Sequence, residues 1–183
     1  MGYYGRSFEL ANRVRPLKTK ADFKGLKMRC NLPTAVAAVA AMGAAPLKMS
    51  SSEVYMALQR KTIDGMVSGA QSIVKRKWNE TCRYLTLTYG SFSPWPVTVN
   101  TKFWNTLLPD IQQAVMEAAA EVSKISLEQA EKEDAAALSE ARKSMEIYVL
   151  EGEWPEARDA GLSAWRKRSG DETADNVLKL LGM

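Results

Sequence analysis

The sequence contains no histidine. That removes the commonest general base, the Ser-His and Cys-His nucleophile pairs, and most zinc sites. Catalysis would have to run on carboxylates, lysine or tyrosine, and no nucleophile–base pair is set up in the chain. It is therefore expected not to be an enzyme, with no catalytic residue, no metal and no cofactor. Cysteine is scarce: Cys30 and Cys82 are the two, far apart and at no metal-ligand spacing, so they read as small buried thiols. A disulfide between them in an oxidising compartment stays open, because sequence does not supply its geometry. Long apolar runs are missing as well. The stretch from Ala35 to Ala45 is alanine-rich, is broken by Gly43 and Pro46, and is too short to span a bilayer. The opening Met1-Gly2-Tyr3-Tyr4-Gly5-Arg6 has no apolar core, so no signal peptide is read there. Charge of one sign is not in large excess either: the net charge of +4 favours anions only weakly. The basic run Lys75-Arg76-Lys77-Trp78 falls on one predicted helix, where such a run is usually a solvated face, and no nucleic-acid motif accompanies it. No nucleic-acid partner is expected.

What is present is an ordinary globular composition, 46% hydrophobic and 25% charged over 183 residues, enough for one domain with a real core. Thr19 followed by Asp22 looks like a helix start, and Gly25 ends that turn. Residues 26–30 alternate apolar and polar and predict a strand. Pro33 opens a helix that Gly43 stops. Ser50 with Glu53 forms a capping box before a helix carrying Val54, Ala57 and Leu58. Residues 63–68 and 84–88 predict strands, 71–80 a helix, and 95–100 a further strand. From Pro109 to about Met145 there is no glycine and no second proline, and Ile111, Val115, Ala118 and Val122 recur at helical spacing, which predicts one long helix or two in line. A strand at 146–150 and helices at 156–167 and 171–181 complete the chain. Strands and helices alternating in this way predict an α/β fold with a mostly parallel sheet flanked by helices, plus a long crossover helix. Ligands of such sheets bind at the carboxyl ends of the strands.

Several local patterns then fall in a definite order. Arg15-Pro16-Leu17-Lys18-Thr19 and Asp22-Phe23-Lys24-Gly25-Leu26-Lys27-Met28-Arg29 come first, then Met42-Gly43-Ala44. Ser52-Glu53-Val54-Tyr55-Met56-Ala57-Leu58-Gln59, Ile63-Asp64-Gly65 and Tyr84-Leu85-Thr86-Leu87-Thr88 follow, and the series ends with Phe103-Trp104 and Leu108-Pro109-Asp110-Ile111-Gln112. This ordered series, which covers nearly the whole chain, resembles the extracytoplasmic solute-binding proteins of TRAP (tripartite ATP-independent periplasmic) transporters, the dicarboxylate-binding family. The resemblance implies a periplasmic-binding-protein-like lobe, a periplasmic location, a small organic acid as ligand, and delivery of that ligand to membrane permease subunits.

The resemblance also implies site residues. Arg29 stands where the family's arginine grips the carboxylate, and a guanidinium offers a planar fork that matches a carboxylate in two parallel hydrogen bonds. The alternative for Arg29 is a surface arginine paired with a neighbouring acid. Ser68 stands where an asparagine often contacts the ligand in relatives. Ser51 replaces an aromatic, which would widen the pocket or admit a more polar ligand, or it simply belongs to the helix cap. In the segment Phe92-Ser93-Pro94-Trp95-Pro96, Ser93 would hydrogen-bond the ligand and Trp95 would stack on it. Trp95 packing in the core is the other reading.

Family members carry an export signal and a first lobe of comparable size, and neither is read here. The expectation is a single incomplete region over 1–183, with lobe two built from 6–95 and 135–183. Residues 96–134 would form a crossover strand and helix whose apolar face packs on lobe one. That face predicts self-association as a homodimer and weak ligand binding by the chain alone. The rival to transport is a structural module that self-associates through the same helix.

Overall fold

The computed structural model describes residues 8–88, 97–150, 152 and 154–180. Six strands form one sheet in the order β3-β2-β4-β1-β5-β6, with β1 at Glu9–Asn12, β2 at Lys27–Arg29, β3 at Ala45–Leu47, β4 at Gly65–Ser68, β5 at Tyr84–Leu87 and β6 at Glu146–Val149. The pairings β2–β3, β2–β4 and β5–β6 are parallel. Only β1 runs the other way, antiparallel to both β4 and β5. The sheet is thus mostly parallel, with one reversed strand at its centre.

Each strand alternates its side chains between two apolar layers, as the twofold repeat of a strand requires. On one face Ala11, Met66 and Leu85 join Ile73, Trp78 and Ala141. On the other, Leu10, Met28 and Val67 join Phe23, Val39 and Met42. Met28 and Cys30 point into that second layer, so Arg29 between them faces the first. Helices cover both faces: α1 at Pro33–Ala41, α2 at Val54–Gln59, α3 at Ala70–Lys75, α4 at Thr101–Trp104, α5 at Pro109–Ala141, α6 at Pro155–Ser169 and α7 at Asp171–Leu180.

Two predicted segments take another form. The segment 71–80 is not one helix: Lys77 takes φ 58° and breaks it, leaving α3 and a single 3-10 turn at Trp78–Glu80. Burial of Trp78, at 1% exposure, accompanies that break. Residues 97–100 are not a strand, and 95 and 96 lie outside the described residues.

The Asp64-Gly65 pair pins the amino end of the sheet. Asp64 Oδ2 accepts the Lys27 backbone N–H at 3.0 Å, and Oδ1 accepts from Arg13 Nη2 at 2.9 Å. One carboxylate therefore joins β1, β2 and β4. Its role is architectural and its position is remote from the strand ends that carry Arg29 and Ser68.

The 33 residues of α5 fall into two unequal environments. Ala130, Ala137 and Ala141 are buried. Gln71 Nε2 donates to Asp134 Oδ1 at 2.8 Å and Lys75 Nζ to Glu133 Oε2 at 3.1 Å, so this half is held against α3. Further toward the amino end, Ile111, Val115, Val122 and Ile125 are exposed, as are Phe103 of α4 and Leu108.

Candidate functional site: an arginine at the carboxyl ends of the strands

Four buried polar residues gather at one end of the sheet. Arg29 is the last residue of β2 and Ser68 the last of β4, while Glu9, first in the reversed β1, pairs with Ser68 across the ladder. Gln71 follows in the first turn of α3. Exposure is 3% for Arg29, 8% for Ser68, 2% for Glu9 and 1% for Gln71. The reversal of β1 places its amino end beside the carboxyl ends of its neighbours, which is how Glu9 reaches this edge. Its Oε2 accepts the Thr88 backbone N–H at 2.7 Å, and Thr88 Oγ1 donates to the Phe8 carbonyl at 2.9 Å. Sequence reasoning missed Glu9; the signal was a lone acid between Phe8 and Leu10, which both pack in the second layer.

The surroundings of Arg29 are unusual for a buried cation. Nε and Nη2 both donate to the Met49 carbonyl, at 3.2 and 3.1 Å, and Nη2 also donates to Ser51 Oγ at 3.2 Å. Among the described residues Arg29 makes no salt bridge. The alternative, an arginine paired with a neighbouring acid, finds no such pair among the described residues. Burial is the main force lowering its pKa, with the Arg76 charge adding to the effect and Cys30 opposing it. An arginine nevertheless stays a cation at neutral pH. Cys30 does not neutralise it there, because burial pushes that thiol up to about 12 in spite of the Arg29 charge. Both cysteines are free and buried. A buried charge with only a carbonyl and a hydroxyl for company is costly unless an anion joins it.

Ser51 is half-buried in the turn before α2. The cap of that helix falls to its neighbours: the Ser50 backbone N–H donates to Glu53 Oε2 at 2.8 Å, so the Glu53 half of the predicted capping box forms. Arg29, Ser51 and Ser68 thus share one end of the sheet. Ser93 and Trp95 lie outside the described residues. A cavity of about 790 Å³ opens elsewhere, between α1, α6 and the second apolar layer, lined by Phe23, Leu32, Val39, Val67, Trp154 and Trp165 among others. Neither Arg29, Ser51 nor Ser68 lines it.

The profile of the DctP family, bacterial extracellular solute-binding protein family 7, matches residues 3–169. The chain belongs to this family. Family 7 proteins are transporter solute-binding proteins, not enzymes. The chain is 29% identical over 180 residues to the C4-dicarboxylate-binding periplasmic protein DctP of Rhodobacter capsulatus, an alignment covering 94% of this chain and 54% of that protein. It is 37% identical over 114 residues to the 2,3-diketo-L-gulonate-binding periplasmic protein YiaO of Escherichia coli, covering 62% of this chain and 35% of that one. A TRAP periplasmic solute-binding protein of Ochrobactrum anthropi, solved with its C-terminus bound in the ligand-binding pocket, superposes with a TM-score of 0.83 at 30% identity, covering 97% of this chain and 57% of that one. The family 7 fold therefore runs through the described structure, and the chain spans about half the length, or less, of these relatives.

Proposed function

We propose that this chain is the ligand-gripping lobe of a periplasmic TRAP-type solute-binding component that captures a small organic acid for a membrane permease. The observation that carries this reading is Arg29, buried, charged and without an acid partner among the described residues. The relatives named for 2,3-diketo-L-gulonate and for C4-dicarboxylates support it, since both ligands are carboxylates. In this reading Arg29 binds the carboxylate and Ser51 and Ser68 hydrogen-bond the ligand, with Ser93 and Trp95 contributing from the segment after β5. Residues 6–95 and 135–183 make up this lobe. Residues 96–134 cross to a first lobe, where the exposed apolar side chains of α4 and α5 find cover.

Closing a cleft between two lobes excludes water and strengthens an ion–ion contact. With one wall the ligand stays half solvated, so the 183-residue chain binds acids weakly, with a dissociation constant on the order of millimolar. Titration of succinate, L-malate and D-glucuronate into labelled chain, followed by amide chemical shifts, tests the reading. At least one acid is expected to perturb the residues around Arg29 and Ser68, and Arg29→Ala should weaken that binding by tenfold or more, in line with about 1.5–3 kcal/mol for a charge-assisted hydrogen bond. Binding that is indifferent to Arg29→Ala would refute it. A second reading, a module that self-associates through α4 and α5 without transport, draws on the exposed stripe Ile111, Val115, Val122 and Ile125.

A further inference from the structure

The helices α1 and α6 pack on each other through small residues. Thr34, Ala35 and Ala38 recur at one-turn spacing on α1, and Ala157 and Gly161 do so on α6, so each set shares a helix face. A β-carbon at Gly161 would come no closer than 3.7 Å to its nearest neighbour, the Thr34 carbonyl oxygen. These short side chains leave the room that becomes the cavity of about 790 Å³, inside the roughly 300–1,000 Å³ of pockets that take small organic molecules. Leu32, Thr88 and Leu150, which follow β2, β5 and β6, also line it. The cavity therefore lies at the carboxyl ends of the strands, where α/β sheets bind ligands. Its α6 wall is tied at both ends. Glu156 pairs with Lys20 at 2.9 Å, and Arg166 pairs with Asp175 of α7 at 2.7 Å.

The chemistry of the lining narrows the occupant. Phe8, Phe23, Trp154 and Trp165 contribute aromatic rings, and Phe23 and Trp154 already meet at 5.8 Å with their planes tilted by 59°. Rings pair favourably in tilted or offset contact at about 4.5–7 Å. Among the described lining residues Arg158 is the charged one, and its Nε donates to Asp159 Oδ1 at 3.0 Å. A neutral ligand thus suits the lining better than an acid. Two polar groups are uncommitted: the Thr34 hydroxyl and the Trp165 indole N–H make no hydrogen bond among the described residues. An indole N–H only donates, so its partner needs an acceptor.

We propose that this cavity is a second binding site, separate from the one at Arg29, for a neutral aromatic compound of two or three rings carrying an oxygen acceptor. The rings pack among the lining aromatics, and the oxygen accepts from Trp165 Nε1. Val39 and Val67 place the site on the second apolar layer, whereas Arg29 faces the first. The proposal does not depend on the organic-acid reading.

2-Naphthol is the probe, with decahydro-2-naphthol as its saturated counterpart: the same carbon skeleton and hydroxyl without aromatic faces. Isothermal titration into the 183-residue chain should give one 2-naphthol site with a dissociation constant on the order of 100 μM. The saturated compound should bind at least about fivefold more weakly. Gly161→Leu and Ala38→Phe fill the cavity from opposite walls, and each should weaken 2-naphthol binding at least about tenfold. Leucine favours helix over glycine, so Gly161→Leu keeps α6 formed. Trp165→Phe keeps a ring and loses the N–H, and should cost about fivefold in affinity. Circular dichroism and urea midpoints report whether each variant is folded. No saturable binding, equal binding of the saturated compound, or native affinity in both filled variants would overturn the proposal. So would competition by D-glucuronate, which would put the probe in the acid's own site.

Discussion

A β-carbon added at Gly65 would press on the Ala11 carbonyl oxygen and stand 2.7 Å from Asn12 Cβ, both on the strand paired with β4. No flexible side-chain end is available to give way, so Gly65→Ala should cost about 3 kcal/mol, the upper range of overpacking, read as a lowered urea midpoint at unchanged slope. The Asp64-Gly65 pair helped to mark the family in the sequence, and both residues turn out to hold strands together. Arg29 and Ser68 were named from the family resemblance, and both fall at the carboxyl ends of strands, β2 and β4. Glu9 was not, since its place depends on β1 running backwards, and direction leaves no trace in four residues. The partners of Arg29 were equally hidden: the Met49 carbonyl belongs to a turn whose path no side-chain pattern encodes.

Among the elements, those that announce themselves by periodicity or by capping residues lie close to where the sequence put them. α1 starts at Pro33 and its turn falls at Gly43, where φ is 92°. α5 starts at Pro109 and stops four residues short of Met145. Among the elements that escaped, β1 and β3 are four and three residues long and α4 only four. β3 contains Pro46, which pattern reading demotes; it is tolerated because β3 lies at the sheet edge with one neighbour. The break at Lys77 likewise comes from packing, which outweighs helix propensity over a short stretch. Within α5 the two halves should differ in local stability, because few tertiary contacts protect Ile111, Val115 and Val122 whereas Ala130, Ala137 and Ala141 are buried. Hydrogen exchange followed by mass spectrometry should show peptides covering 111–125 exchanging at least about tenfold faster than those covering 130–141. Equal protection along the helix would mean that something covers its first half.

For the molecule as a whole, the alternation of strands and helices was enough to foresee the α/β architecture, and the family profile over 3–169 agrees with it. Where the exposed stripe of α4 and α5 finds its cover is a question of assembly. Large apolar side chains in a continuous row favour self-association when nothing else covers them. Sedimentation velocity of the 183-residue chain should show a concentration-dependent shift from monomer to dimer. Replacing Val115 and Val122 together by Glu should leave a monomer with an unchanged circular dichroism spectrum. A native chain that sediments as a monomer at every concentration would remove the dimer.

The length of α5 has one more consequence. Its buried residues are alanines, 130, 137 and 141, short side chains set beside the half-buried Leu138. Some twenty residues of helix project beyond them, roughly 30 Å, so a tilt of about 10° at the base carries the Pro109 tip through about 5 Å. Gln71, three residues after Ser68, grips this rod at Asp134, so any change of angle at this end of the sheet is enlarged at the far tip.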